Sequence, residues 1–263
     1  MSTESNIARH PAAHAVGKNI IAVASGKGGV GKTWFAITLS HALALSNNKV
    51  LLFDGDLGLA NVDIQLGLMP KHDVADVVAG KKSMAETVTR FPDGGFDIIA
   101  GRSGTGSLAS LGATHLETLR NGILSIAQNY DMVVLDLAAG IDEAVRSMAG
   151  MAGTSLIVTT DEPTAITDAY AMIKLLAAKR RAEPIQLVIN AAKNKAEGNR
   201  TYETLLKACQ SFLKISPPLA GIVRRDSKVK DSIRRQTPLF KRHPTSAAAE
   251  DVAAIARTLT RER

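Results

Sequence analysis

Residues 25–36 read SGKGGVGKTWFA and come directly after the apolar run NIIAVA at residues 19–24. Residues 26–33 fit the pattern G-x-x-x-x-G-K-[ST], in which a glycine-rich loop joins a strand to a helix. The glycines let successive backbone N–H groups converge on an anion, and the start of the helix adds partial positive charge. The pattern therefore predicts a phosphate-binding loop made by Gly26, Lys27, Gly28, Gly29, Val30, Gly31, Lys32, Thr33 and Trp34.

Individual side chains of this loop have separate expected roles. Lys32 would reach the β- and γ-phosphates of a bound nucleotide, and the Thr33 hydroxyl would bind Mg²⁺. Trp34 can still turn its backbone N–H towards a phosphate, but we expect its side chain to pack against the sheet. A phosphate-binding loop does not require a lysine at position 27. The residue types alone therefore leave the role of Lys27 open.

Carboxylates follow two further apolar runs. Asp54 and Asp56 flank one glycine at the end of residues 50–53, and i and i+2 positions of an extended segment project to the same side. One of them can hold the Mg²⁺ shell while the other orients a water, the alternative being a solvated surface turn. Asp136 follows the apolar run that starts at residue 132 and is expected to bind Mg²⁺ or one of its waters.

Short apolar runs alternate with helical patterns along the chain. The predicted strands are residues 20–24, 50–53, 96–99, 132–135, 156–160, 185–189 and 219–223, and the predicted helices include 32–46, 115–128 and 167–179. Continuous apolar runs are typical of parallel strands covered on both faces. We predict an α/β fold with a single doubly wound, mostly parallel sheet flanked by helices, covering residues 19–263 after a flexible tail at 1–18.

Composition narrows the class of protein. The 263 residues include one cysteine, Cys209, which excludes an intrachain disulfide and the paired ligands of an iron–sulfur cluster. We find no secretion signal and expect a cytoplasmic protein. The net charge is +7, and eight basic residues concentrate in one stretch: Arg224, Arg225, Lys228, Lys230, Arg234, Arg235, Lys241 and Arg242. Such a stretch is a candidate for weak membrane contact or nonspecific DNA contact.

The motifs resemble those of a known family. KGGVGKT, residues 27–33, looks like the deviant Walker motif of the MinD/ParA ATPases. Three longer stretches, residues 54–68, 158–176 and 231–256, resemble the flagellar-number regulators of the FlhG/FleN branch; they read DGDLGLANVDIQLGL, VTTDEPTAITDAYAMIKLL and DSIRRQTPLFKRHPTSAAAEDVAAIA. The resemblance implies a P-loop Mg²⁺-ATPase that binds ATP and ADP and dimerises on ATP.

The resemblance also implies residue roles. Lys27, Lys32, Asp56 and Asp136 would be catalytic, Thr33, Asp54 and Asp136 would hold the metal, and Asn190 would hydrogen-bond adenine. In that class the extra lysine reaches the partner's nucleotide when two subunits enclose two ATPs. We therefore expect that only the ATP-bound dimer gives Lys27 a facing anion.

Partners and placement follow from the same resemblance. The family acts through a flagellar GTPase, a transcription activator and flagellar switch proteins, with recruitment to the cell pole or the inner membrane face.

The sequence departs from the family's pattern at two places. The family's activator motif D-Q-A-x-x-L-R is missing from residues 1–18, and Leu137 and Ala138 replace the usual Thr and Gly.

Two other functions stay open at this point: a ParA-type ATPase that positions DNA or another cargo, and an anti-activator that works by binding alone. Tyrosine-kinase relatives do not fit, because the chain lacks their C-terminal tyrosine cluster. The apolar stripe of Val252, Ile255, Ala256 and Leu259 has helical spacing, and we expect it to pack on the core rather than anchor to a membrane.

Overall fold

A computed structural model describes residues 17–56, 58, 60–101, 112–178 and 184–261. Within these residues one sheet contains eight strands: β1 Gly17–Ser25, β2 Val50–Gly55, β3 Thr89–Phe91, β4 Phe96–Ile99, β5 Met132–Ala139, β6 Ala152–Thr159, β7 Ile185–Ala192 and β8 Leu219–Arg224. Ten α-helices accompany them: α1 Lys32–Leu45, α2 Val62–Leu66, α3 Val74–Val78, α4 Ala113–Ala127, α5 Glu143–Ala149, α6 Pro163–Ala177, α7 Lys195–Ala208, α8 Ser227–Arg234, α9 Leu239–Arg242 and α10 Ala247–Arg261.

The strand order places β1 near the middle of the sheet. The order is β3-β4-β2-β5-β1-β6-β7-β8, and every pairing is parallel except that of β3 with β4. From β1 the chain moves to β2 on one side, and after β5 it returns to β6 on the other. Ligands of open α/β sheets bind at the carboxyl ends of the strands where the winding reverses, so the loop after β1 occupies that position. The predicted doubly wound, mostly parallel fold is confirmed.

Both faces of the sheet are covered, which explains why its strands are continuous apolar runs. Side chains alternate along β1, so Ile20 and Ala22 pack with the helices of one face and Ile21 and Val23 with those of the other. All four are at most 1% exposed. Strands of a parallel sheet that has helices on both faces have no side that faces water. Their sequences are therefore near-continuous apolar runs.

Helices α1 and α10 form part of one covering layer. Helix α1 is buried on nearly all sides because it lies between the sheet and α10. The stripe of Val252, Ile255, Ala256 and Leu259 on α10 is at most 5% exposed and belongs to the core shared with α1. The expectation of a core-packing terminal helix is therefore confirmed. Within the described residues, no helix combines the length and the apolar character that crossing a bilayer requires.

The structure differs from the sequence expectation at several element boundaries. Strand β3 was not predicted: it has three residues, pairs antiparallel with β4 at the sheet edge, and is too short to carry a periodic signal. Strands β5 and β7 run past their predicted ends to Ala139 and Ala192. Gly17 and Lys18 belong to β1, two residues before the predicted domain start, and the rest of the predicted tail lies outside the described residues.

One buried histidine lies in the packing between α1 and its neighbours. His41 is 5% exposed, and its ring meets the Phe240 ring edge-on at 5.4 Å. Its Nδ1 atom has no hydrogen-bond partner in the part of the chain that the structure describes. Burial lowers the pKa of His41 to about 4, and the nearby carboxylate of Asp93, which is paired with Lys241, opposes this only in part. The folded protein therefore keeps His41 neutral under conditions in which the unfolded chain protonates it.

This arrangement predicts a pH-dependent stability. Between pH 6.5 and about 4 the unfolded chain binds a proton that the folded chain does not, so the free energy of unfolding falls on acidification. We expect His41 to contribute a loss of about 2 kcal/mol between pH 6.5 and 5. Urea unfolding at both pH values should show a smaller loss for His41→Leu than for wild type. His115→Leu, at an exposed position of α4, is the control, and equal pH slopes in all three proteins would contradict the assignment.

Candidate nucleotide-binding site

The loop between β1 and α1 has the backbone that an anion site requires. Gly29 and Gly31 have φ angles of 81° and 86°, which favour glycine, and Gly28 and Gly29 are exposed at the tip. Gly31 is the N-cap residue of α1 and offers no side-chain cap, so the first N–H groups of this helix are not capped by a side chain. A loop tip and a helix start of this kind can together bind phosphate.

Lys32 extends from the first turn of α1 to the end of β5. Its Nζ atom donates a hydrogen bond to Asp136 Oδ1 at 2.7 Å, and the two side chains are 7% and 0% exposed. Burial raises the pKa of Asp136, and Lys32 opposes this rise by pairing with the carboxylate. Two charges buried this deeply need each other, because removing either would leave the other without compensation.

Asp54 ends β2 beside Asp136, to which it is directly paired across the two strands. It is fully buried, and its oxygens accept hydrogen bonds from the backbone N–H groups of Asp56, Asn61 and Val62. Burial and the neighbouring charge of Asp136 raise the pKa of Asp54 to about 7. Two carboxylates so close together favour a cation between them, and without one they favour a shared proton.

The oxygen ligands here fit Mg²⁺. Among the described residues Asp136 Oδ2 is buried without a hydrogen-bond partner, and Thr33 opposes the rise in the pKa of the same carboxyl group. Asp54 lies next to them, so the three residues predicted to hold the metal come together. Among the described residues no group of three or more His, Cys, Asp or Glu side chains could hold a metal ion. Mg²⁺ usually takes one or two protein carboxylates and completes its shell with water and phosphate oxygens, and Asp54 and Asp136 provide two carboxylates here.

Lys27 requires a correction. We expected only a partner's phosphates to provide a facing anion, but Lys27 Nζ lies 2.8 Å from Glu162 Oε2 and 2.7 Å from Thr164 Oγ1 of the same chain. The reason is that the start of α6 lies against the loop: a Cβ on Gly26 would come within 2.2 Å of the Asp168 carbonyl oxygen. The Lys27 and Glu162 side chains are 35% and 64% exposed, so this contact is open to solvent.

The remaining predicted residues lie at the same edge. Asn190 is 6% exposed and donates from Nδ2 to the Val30 carbonyl oxygen at 2.7 Å. Trp34 is 6% exposed and packs in the core beside α10, and its buried Nε1 atom has no hydrogen-bond partner within the described ranges. Asp56 is partly buried next to Asp54. Glu162 and Thr164 were missed as site residues, and only their place in the quoted stretch around the start of α6 could have drawn attention to them.

Comparison with known proteins gives a consistent family. The protein-family model described as the CobQ/CobB/MinD/ParA nucleotide binding domain matches residues 21–239 of this chain. The antiactivator FleN of Pseudomonas aeruginosa is 38% identical over 237 residues, covering 90% of this chain and 84% of its own. The flagellum site-determining protein YlxH of Helicobacter pylori is 31% identical over 240 residues, covering 90% and 80%.

A solved structure extends the comparison to the fold. The MinD chain of the MinC:MinD cell division protein complex from Aquifex aeolicus superposes with a TM-score of 0.74 and is 26% identical. The match covers 93% of this chain and 96% of that one. Sheet, flanking helices and loop therefore belong to one common architecture.

The buried pair predicts the effect of removing Lys32. Lys32→Ala should weaken the binding of ATP with Mg²⁺ about 10- to 100-fold, because a charged hydrogen bond to phosphate is lost. Isothermal titration calorimetry measures the loss, and thermal unfolding checks that the variant still folds. Lys81→Ala, at an exposed lysine away from the loop, should bind like wild type. Unchanged affinity in Lys32→Ala would remove Lys32 from the phosphate site.

Proposed function

The chain belongs to the CobQ/CobB/MinD/ParA nucleotide-binding family, and on that premise we propose an ATP-dependent switch that regulates the number or placement of flagella through partner proteins. It is a Mg²⁺-dependent ATPase of the MinD/ParA type. FleN and YlxH, at 38% and 31% identity, support the flagellar role. The observation that carries the proposal is the meeting of Lys32, Thr33, Asp54 and Asp136 at one edge of the sheet, with a second lysine, Lys27, at the mouth of the loop.

The chain's own groups divide the work of binding. The loop N–H groups and the start of α1 would hold the phosphates, and Lys32 would exchange its contact with Asp136 for phosphate oxygens. Thr33, Asp54 and Asp136 would hold Mg²⁺, which when bound neutralises charge on the phosphate oxygens. The exchange leaves Asp136 in contact with a cation, so its buried carboxylate stays compensated.

Asp56 would orient the water that attacks the terminal phosphate. It follows Asp54 by two residues, and its backbone N–H donates to Asp54 Oδ1 at 3.1 Å. This bond fixes the backbone of Asp56 next to the metal carboxylate. Asp56 is partly exposed, unlike Asp54, so water can reach it. A carboxylate at such a position is suited to act as a general base or to align the water.

Lys27 would couple nucleotide binding to dimerisation. In the single chain it contacts Glu162, but exposed ion pairs contribute little and exchange readily. Two chains that meet by two-fold symmetry across their loops would offer each Lys27 the partner's phosphates, a stronger anion than one carboxylate. ATP would then favour the dimer because Lys27 gains its better contact only there, which is the differential affinity that a switch needs.

The flagellar partners we propose are a GTPase, a transcription activator or switch proteins, with recruitment of the chain to the cell pole or the inner membrane face. FleN is named an antiactivator and YlxH a site-determining protein, so both regulation and placement have support among the relatives. A dimer whose formation depends on ATP would present a different surface to such partners than the monomer does. Binding without hydrolysis is the remaining alternative, and the Asp56 experiment below separates it from a working ATPase.

A second candidate function rests on the basic stretch around α8. Three of its eight basic residues are paired with acids: Arg224 with Asp251, Lys241 with Asp93, and Arg242 with Asp231. Four others are exposed and have no carboxylate partner among the described residues: Lys228, Lys230, Arg234 and Arg235. They follow the carboxyl end of β8 in the chain. This exposed charge favours nonspecific contact with DNA or another polyanion, which would weaken steeply with added salt.

The water-orienting role predicts a trapped state. Asp56→Ala should keep its affinity for ATP, lose about 10²- to 10⁴-fold in hydrolysis rate, and accumulate as a dimer with ATP. Phosphate release and analytical ultracentrifugation measure the two effects. Glu203→Ala, an exposed carboxylate on α7, is the control and should turn over like wild type. Wild-type turnover in Asp56→Ala would assign the water to another residue, and no turnover in the wild type would favour a protein that acts by binding alone.

Substitutions of Lys27 and of its partner Glu162 are expected to have opposite effects on ATP-dependent dimerisation. Lys27→Ala should weaken ATP-dependent dimerisation and turnover together, because the cation that reaches the partner is gone. Glu162→Gln should strengthen dimerisation, because the competing carboxylate of the same chain is gone. Sedimentation over a concentration series with ATP compares the two in an Asp56→Ala background. If both substitutions shift dimerisation in the same direction, Lys27 acts only within its own chain.

A further inference from the structure

Asn190 makes a contact that the adenine role does not account for. Its side chain is 6% exposed, and its Nδ2 atom donates to the Val30 carbonyl oxygen at 2.7 Å, across 160 residues of sequence. A carbonyl oxygen can only accept, so this contact fixes which end of the amide faces the loop. The hydrogen bond is made within the chain itself, and it joins β7 to the phosphate loop.

The loop fits closely around this amide. A Cβ built on Gly31 would lie 2.4 Å from Asn190 Nδ2, so the amide occupies the space that any other residue at position 31 would need. Gly31 has a φ of 86° and directly precedes Lys32, the first residue of α1. Asn190 therefore contacts Val30 and Gly31. The conformation of these two residues sets the position of Lys32 and of the start of α1.

The backbone after Asn190 is bent in a way that supports the contact. Ala191 has a φ of 55°, a conformation that costs free energy in any residue with a Cβ, and the register of β7 with β8 shifts between Ile189 and Ala192. Arg225 holds the bend by donating from its backbone N–H to the Ala192 carbonyl at 2.7 Å and from Nε to the Ala191 carbonyl at 3.2 Å. Strained backbone of this kind persists where the surrounding structure requires one particular side-chain position.

We propose that Asn190 is a positioning residue that holds Val30 and Gly31 in the conformation that binds phosphate. The role rests on the proposed nucleotide binding, and it is separate from any contact of the same amide with adenine. The hydrogen bond joins two parts of the chain and needs no base, so it lowers the cost of ordering the loop around the phosphates. Its effect should therefore extend to a ligand that has phosphates and no base.

Inorganic tripolyphosphate with Mg²⁺ is such a ligand. Calorimetry should compare it with ATP on wild type, on Asn190→Ala and on Asn190→Leu, which keeps the approximate size of the side chain but cannot donate to Val30. We expect both variants to bind both ligands about five- to tenfold more weakly, by a similar factor for each, as the loss of one hydrogen bond predicts. Asn199→Leu, at an exposed asparagine of α7, is the matched control, and its affinities should equal those of wild type.

A second measurement needs no ligand. Hydrogen exchange of the backbone amides at residues 28–33 should be several-fold faster in Asn190→Leu than in wild type, with the thermal midpoint nearly unchanged. If ATP binding falls while tripolyphosphate binding and loop exchange stay at wild-type values, Asn190 acts on the base alone and the positioning role is refuted. If the wild type binds neither ligand, the proposed function fails, and faster loop exchange in the variant would still support the structural contact.

Discussion

The buried pair of Lys32 and Asp136 is the interaction on which the site depends. It places a cation from the first turn of α1 against a carboxylate at the end of β5, with almost no exposure of either side chain. Such a pair cannot be separated without a replacement charge for each member, because a lone buried charge is strongly destabilising. Phosphate and Mg²⁺ are a matched replacement of this kind. The pair can thus exchange partners with phosphate and Mg²⁺ while each buried charge stays compensated.

The geometry of the parallel sheet brings the other groups to the same place. The carboxyl ends of β1, β2, β5 and β7 supply the phosphate loop, Asp54, Asp136 and Asn190, and these strands lie close together in the sheet. Because the strands are buried on both faces, most of their residues are apolar, and the ionisable site residues occur towards the carboxyl ends. Asp54 shows the consequence: burial and the charge of Asp136 raise its pKa to about 7, which makes a cation at this edge favourable.

Contacts across the loop connect this edge to the surface. Glu162 and Thr164 at the start of α6 bind Lys27 from one side, and Asn190 binds Val30 from the other. Two apolar side chains that are close in sequence to site residues are also exposed. Ile64 is 56% exposed and Ile141 is 44% exposed. An exposed cation and exposed apolar groups near the nucleotide edge are the features that a second chain could cover, in keeping with the proposed ATP-dependent dimer.

The sequence by itself determined the fold class, the phosphate loop and the three strand-end carboxylates, because each of these depends on local patterns: continuous apolar runs, glycine spacing, and aspartates directly after a strand. Only the tertiary structure decided what Lys27 and Asn190 contact. Their partners lie 135 and 160 residues away, and no local pattern indicates which residues so far apart in sequence will meet. The strand β3 and the raised pKa of Asp54 were likewise decided by tertiary structure. A three-residue edge strand exists only by pairing with β4, and a carboxyl pKa is set by burial and by charges that the folded sheet brings together.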